Sequence, residues 1–301
     1  MANVLTKGTL LPTQIVEEMF NAVTGKSSLA KLSGQKPIPF NGTTEFVFSL
    51  DKEVDIVAEN GAKSNGGAAV TAKTIRPIKF EYGVRVSDEF IYGTEEYRMN
   101  VLRTFAEGAA KKMARGFDIA AFHGVNPRTG SASAVVGTEN FDSLVTANTV
   151  TYVAASADAN IDAAIAQLGE VDATGIAMSP TMRNAIAALT TGANGARKYP
   201  EFAFGGQPAT LGAMTLDVNS TVSFGATQSA GDHAIIGDFQ NAFRWGYAKQ
   251  IPLEVIEYGN PDNDANAGDL KGHNQVYLRA EFFIGWAILA PTYFSRVIIG
   301  A

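Results

Sequence analysis

The chain has 301 residues, 46% of them hydrophobic and 18% charged, enough for one large or two ordinary domains around a sizeable core. It contains no cysteine, which excludes disulfides, thiolate metal sites and cysteine nucleophiles, and its formal net charge of −6 does not fit a dedicated nucleic-acid binder. The longest apolar run, "FFIGWAILA", is about half of what a membrane span needs, and no signal peptide opens the chain, so a soluble protein made in the cytosol is expected.

The first segment, "TLLPTQIVEEMFNAV", places Ile15, Val16, Met19, Phe20 and Val23 at helical spacing after a proline. "SSLAKLSG" adds Leu29 and Leu32 before a glycine. So short a helix buries too little to stand alone, so residues 1–36 read as an arm lying either on its own domain or on another surface.

Over residues 37–87 the pattern switches to a period of two. "TTEFVFSL" puts Phe46, Phe48 and Leu50 on one face. "IKFEYGVRVS" puts Ile78, Phe80, Tyr82, Val84 and Val86 on one face and Lys79, Glu81 and Arg85 on the other. A polar, glycine-rich stretch at 58–70 separates them, so the two runs are expected to pair as an extended hairpin. A two-stranded hairpin is marginal alone and needs a surface to lie on.

The strongest helical pattern follows. Thr94 is a plausible N-cap, Glu95 and Glu96 occupy the first turn, and Leu102, Phe105, Ala109, Met113, Phe117 and Ala120 recur at spacings of three and four. A helix over 94–123 spans roughly 45 Å and reads as a spine. It stops in "FDIAAFHGVNPRTG", with Gly124 at the terminating position, Pro127 beyond it and His123 complementing the dipole in the last turn. Arg128 is left either to bond within its own subunit or to reach a neighbour.

From 130 to 237 short strands and helices alternate, including "SPTMRNAIAALT" with Ser179 as cap and Pro180 at the first helical position. The last part is strand-rich: "FRWGYAKQIPLEVIEY" and "NQVYLRAEFFIGWAIL" flank the polar loop "GNPDNDANAGDLKGHN", and "PTYFSRVII" closes the chain.

Candidate chemistry is sparse. "TGKSS" has Gly-Lys-Ser, but the glycine that a phosphate loop needs is Phe20, in a helical segment. "DNDANAGDLKGH" opens like a calcium loop, yet its sixth position is Ala267 and its twelfth is His273, where glycine and glutamate are required, so a solvated acidic loop is expected and incidental cation binding stays open. His123, His233 and His273 fall at the ends of different elements, without metal spacing or a nucleophile elbow, and read as surface or capping residues. No cofactor is expected. What stands out is an arm, a long hairpin and a spine, each too extended to be stable alone, which points to a self-assembling structural protein rather than an enzyme.

The order of these parts, with "RVSDEFI" leading into the helix, "SPTMRNAIAAL", "GDFQNAF" and "LRAEFFIGWAILAPTYF", resembles the major capsid proteins of tailed bacteriophages. The resemblance covers essentially the whole chain and implies an α+β Hong Kong 97-type fold. It implies an arm at 1–36, an extended loop at 37–87, a peripheral domain at 88–137 and 241–290, and an axial domain at 138–240 and 291–301. It further implies pentamers and hexamers of an icosahedral shell in the virion, assembled in the host bacterial cytoplasm, with weak contact to packaged double-stranded DNA. A portal protein, a separate scaffolding protein and a decoration protein would be partners. Because the arm begins almost at Met1, no cleaved scaffolding extension is expected, and no partner for Lys63 in a covalent cross-link is identifiable. The expected assembly contacts are Ile15, Phe20, Leu29, Lys63, Asn65, Arg76, Arg128, Asp262, Asp264 and Asp269. An encapsulin-type compartment shell and an α/β ligand-binding protein or hydrolase remain alternatives.

Overall fold

The computed structural model describes residues 26–50, 52–191, 195–224 and 231–299, with the backbone alone for 249–252. The helix expected around Ile15 and Phe20 lies outside the described residues. In chain order the described elements begin with the single-turn helix α1 (Ser28–Leu32), then β1 (Thr43–Leu50), β2 (Ala68–Ile75), β3 (Ile78–Ser87), the short α2 (Glu89–Tyr92) and the long α3 (Glu95–His123). Next come α4 (Phe141–Leu144), β4 (Thr149–Thr151), α5 (Ala157–Ala166), β5 (Gly175–Met178), α6 (Pro180–Ala188) and the strand pair β6 (Thr190–Thr191) and β7 (Ala196–Arg197). The chain ends with β8 (Thr210–Leu211), β9 (Met214–Val218), β10 (Asp232–Gly237), β11 (Phe243–Ile256), β12 (Gln275–Ile288) and β13 (Phe294–Ile298).

Helix α3 has the expected ends. The Thr94 side chain accepts from the Tyr97 amide, and Gly124 takes the left-handed conformation at φ 65°. Its 29 residues span about 44 Å. The burial is not a single stripe, however. Up to Met113 buried positions alternate with exposed ones, but every residue from Gly116 to Phe122 is buried. This end runs through the main core, where Phe117 stacks 5.2 Å from Trp245, and Phe141 meets Phe294 edge-on at 5.0 Å.

Two sheets organise the rest. Six strands in the order β4-β13-β10-β5-β9-β8 bury Ile176, Met178, Leu216, Ile236 and Val297 against Ile161 of α5 and Met182 and Ile186 of α6. Strand β13 lies between β4 and β10, so the last segment closes the sheet begun more than a hundred residues earlier. A second sheet, in the order β11-β12-β3, is built on the two long antiparallel strands.

The hairpin is not the one the alternation suggests. Strand β1 pairs with β2, opposing Phe46 to Ala72 and Phe48 to Val70, whereas β3 pairs with β12 over its whole length. The "AAVTAKTI" of β2 is exposed at most positions, so no face had to be apolar and its strand character was hidden. The clean alternation of β3 arises because Phe80 packs toward the main core. The glycine-rich stretch expected as a tip thus partly belongs to a strand, and described residues 52–67 form the loop between β1 and β2.

Residues 35–38 run along the outer edge of β11, with Lys36 and Ile38 amides donating to the Trp245 and Tyr247 carbonyls at 3.0 and 3.3 Å. The approach requires Gly246, because a Cβ there would stand 1.7 Å from the Lys36 carbonyl oxygen. Ile38, Ile75 and Ala287 form a small core that anchors the hairpin base. Among the described residues no helix is long and apolar enough to cross a membrane.

Candidate assembly interface

Among the described residues, exposed apolar side chains line up along the β1–β2 hairpin and its loop. Phe46, Phe48 and Leu50 alternate along β1 and are 67%, 71% and 79% exposed, with Val70 beside Phe48 and with Val54 and Ile56 almost fully exposed in the loop. Isolated surface apolar residues are ordinary, but a contiguous row on an extended arm marks an interaction surface. Its base is tied down by Ile75 in the core, by an ion pair of Glu45 with Arg244 at 3.2 Å and by one of Lys73 with Glu139 at 4.0 Å. Lys63 and Asn65 are exposed in the loop, where the Asn65 carbonyl accepts from Lys52 Nζ at 3.0 Å, and Arg76 is exposed at the base.

Leu29 is a correction. It is wholly buried in the main core and does not face a neighbour. The reason is Asp118, midway through the buried end of α3. Its carboxylate accepts from the Ser27 hydroxyl and from the Ser28 and Leu29 amides, while Lys31 and the Ser28 hydroxyl bond Asp217. The "TGKSS" helix start therefore receives an anion from the chain itself. Desolvation pushes the Asp118 carboxyl up to about 7 against those donors.

Asp262, Asp264 and Asp269 lie in one loop, and Asp262 pairs with the cation of Arg85. The Arg85 guanidinium donates to both Asp262 oxygens, to Asn260 and Gln275 side chains and to the Ala267 and Gly268 carbonyls, at 2.5 to 3.2 Å. Asp264 accepts from the Asn266 and Ala267 amides, and Asp269 from those of Gly259 and Gly272. The hydrogen bond from Arg85 holds the Asp262 carboxyl down at about 2. An arginine fills the place that the calcium-like spacing suggested for a metal. Arg128 is exposed just past α3, its amide bonded to Asn126 Oδ1 and its guanidinium without a hydrogen bond or ion pair among the described residues.

The histidines differ from expectation as well. His123 and His233 are largely buried; only His273 lies at the surface. His123 places Nδ1 2.9 Å from Asp142 Oδ2 and Nε2 2.9 Å from the Thr221 carbonyl. Asp142 also takes Arg296, which forks onto Asp232 at 2.8 and 2.9 Å. His123, Asp142 and Asp232 lie close enough to hold a metal, but the Arg296 guanidinium bridges the two carboxylates. Burial pushes Asp232 up to about 7 against the pull of Arg296. Burial is the largest single influence on His123 and opposes its charge, but the bond to Asp142, the charges of Asp142 and Asp232 and the Thr221 carbonyl together outweigh it and raise the group above its ordinary value.

Ser179 and His233 outline a hydrolase dyad, with Ser179 Oγ 3.1 Å from Nδ1. Ser179 is fully buried and its hydroxyl caps α6 by accepting from Met182, while Asp232 turns away to Arg296. The pair serves as a helix cap. Sequence reasoning passed over Arg85, Asp118 and Arg296, single charged residues whose partners lie 64 to 190 positions away.

Residues 7–297 match the phage capsid family model. The chain belongs to the phage capsid family. Solved structures agree: this capsid protein is similar to a chain from Mycobacterium phage Ogopogo, with a TM-score of 0.78 and 29% identity over 91% of this chain and 92% of that one. It is also similar to a chain from Gordonia phage Cozz, with a TM-score of 0.74 and 25% identity over 92% and 87%. A structure titled "Capsid of native GTA particle" shares the fold at a TM-score of 0.60 and 16% identity, over 91% and 90%. No curated protein matches the sequence. The family and these structures make the chain a major capsid protein, a structural subunit of a virion shell.

Proposed function

We propose that copies of this capsid protein close into hexamers and pentamers of an icosahedral, Hong Kong 97-type shell around double-stranded DNA, each hairpin lying on a neighbouring copy. The observation that carries this is the row Phe46, Phe48 and Leu50, which the chain itself leaves uncovered. Burying those side chains with Val54, Ile56 and Val70 would contribute on the order of 10 kcal/mol per copy before ordering costs. In this reading the six-stranded sheet, within 138–240 and 291–301, is the axial domain. Residues 88–137 and 241–290, joined by β3, are the peripheral domain, and the extended loop shortens from 37–87 to 37–77.

The net charge of −6 suits a wall that does not grip its genome, whose charge is balanced largely by counterions. Lys111 and Lys112 remain exposed for local contacts, whereas Arg115 is engaged by Ser220 at 2.9 Å. Family membership supports a portal protein as a partner at one vertex, with scaffolding and decoration proteins as further partners and the host bacterial cytoplasm as the place of assembly. Deleting residues 53–66 and closing the gap with a short turn removes the loop but keeps both strands. The shortened chain should fold with an unchanged unfolding midpoint and give no closed shells by electron microscopy; intact shells would refute the role given to the hairpin.

A further inference from the structure

Phe204 is 98% exposed, more than any other large apolar side chain among the described residues. Its backbone is left-handed, at φ 54° and ψ 30°, a conformation a phenylalanine adopts only when its surroundings impose it. They do so here: Phe202, two residues earlier, is wholly buried, and Gly205 continues the turn at φ 85°. The Arg197 guanidinium sits 5.2 Å over the ring. The aromatic ring is thus held out from the surface as a knob with a cation on one face.

The same unit carries a matching socket. A cavity of about 210 Å³ opens between α5, α6 and the β8–β9 turn, lined by Ile161, Ile165, Ile186, Leu211 and Met214. An apolar cavity of roughly 150 Å³ is enough for a benzene ring. Asp158 and Asp162 stand at its rim. Asp158 is taken by Lys198, but Asp162 is exposed and makes no hydrogen bond or ion pair among the described residues.

We propose that Phe204 of one copy inserts into this socket of the next copy, bringing Arg197 onto Asp162. The knob cannot be filling its own socket, since it is almost fully exposed. Knob and socket are different parts of one chain, so within the ring reading the contact runs head-to-tail and repeats from copy to copy until the ring closes, whereas a reciprocal two-fold pair would stop at a dimer. Aromatic insertion supplies the apolar area, and the opposite charges fix its direction. The contact rests on the reading that copies form rings, and adds where those rings are sealed.

The absence of cysteine makes a direct test possible. In the full-length chain carrying Phe204→Cys and Ile165→Cys, mild oxidation should give a ladder of linked species ending at pentamers and hexamers, with neither single variant doing so. Only monomer, free or internally linked, would overturn the contact. As a second test, Phe204→Asp should leave the unfolding midpoint unchanged, because the side chain is exposed, and lower the shell yield at least tenfold. Arg197→Asp and Asp162→Arg should each lower it and together restore it. Normal shells from Phe204→Asp overturn the socket alone, whereas a wild-type chain that never forms rings overturns the ring reading as well.

Discussion

The Ser28 amide donates to the Asp118 carboxylate at 2.8 Å, joining the first described helix to the long one across 90 residues. With the Ser27 and Thr221 hydroxyls, the Leu29 amide and the Asn219 side-chain amide on the same group, five donors converge on one buried carboxyl. Asp118→Ala would strand them and is expected to cost about 3 kcal/mol in urea unfolding, with Asp118→Asn costing less because one oxygen remains. Since the folded carboxyl sits near 7 and the unfolded one near 3.8, folding takes up a proton between those values. Its contribution to stability therefore falls as pH rises from about 4 to about 7, a slope that Asp118→Asn should remove.

His123 governs a higher window. Its folded pKa lies above its ordinary 6.5, so the stability it adds is complete below 6.5 and is lost as pH rises through the raised value. The groups facing it are Asp142, Asp232, Arg296 and the Thr221 carbonyl. His123→Gln should flatten the alkaline side of the stability profile and leave the acid side as it was, measured by thermal unfolding across pH 5 to 9 in steps of about half a unit. An unchanged alkaline side would show that the histidine is uncharged in the folded chain.

Much of this architecture was legible before any coordinates. The ends of α3 follow from Thr94 and Gly124, and those of α6 from Ser179 and Pro180, because capping is local and its donors and acceptors are neighbours in sequence. The pairing of β1 with β2 was not legible: a strand exposed on both faces carries no alternation to read. Nor was the burial of Leu29, which Asp118 fixes from 89 residues away. From sequence the loop at Asp262 read as a solvated acidic loop with incidental cation binding left open, and its cation is Arg85, a residue read from sequence only as the polar side of a strand.

Arg85 should be essential to the shape of the acidic loop. Arg85→Ala removes the common donor to four loop residues and to Gln275 at the start of β12, and increased amide exchange is expected across 259–274 while α3 keeps its protection. Calcium should leave wild-type exchange in this loop unchanged, because the guanidinium already fills its centre. Asp262 is held at about 2, so this contribution is present above about 4 and fades only as pH falls through about 2.

The hairpin row can be tested without deleting anything. Phe46→Ser with Phe48→Ser replaces two side chains that are 67% and 71% exposed, so the change in monomer stability should stay within about 0.5 kcal/mol. Particle yield by sedimentation should nevertheless drop by at least tenfold. An equal loss of monomer stability would mean that the row packs on its own subunit.

The proposed shell closes through hairpins that lie on neighbouring copies. Electron cryomicroscopy of the expressed chain tests it most directly. The account predicts closed particles built of pentamers and hexamers, in which Phe46, Phe48 and Leu50 are covered by an adjacent subunit. Particles in which that row stays exposed to solvent, or a chain that remains a monomer at high concentration, would contradict it.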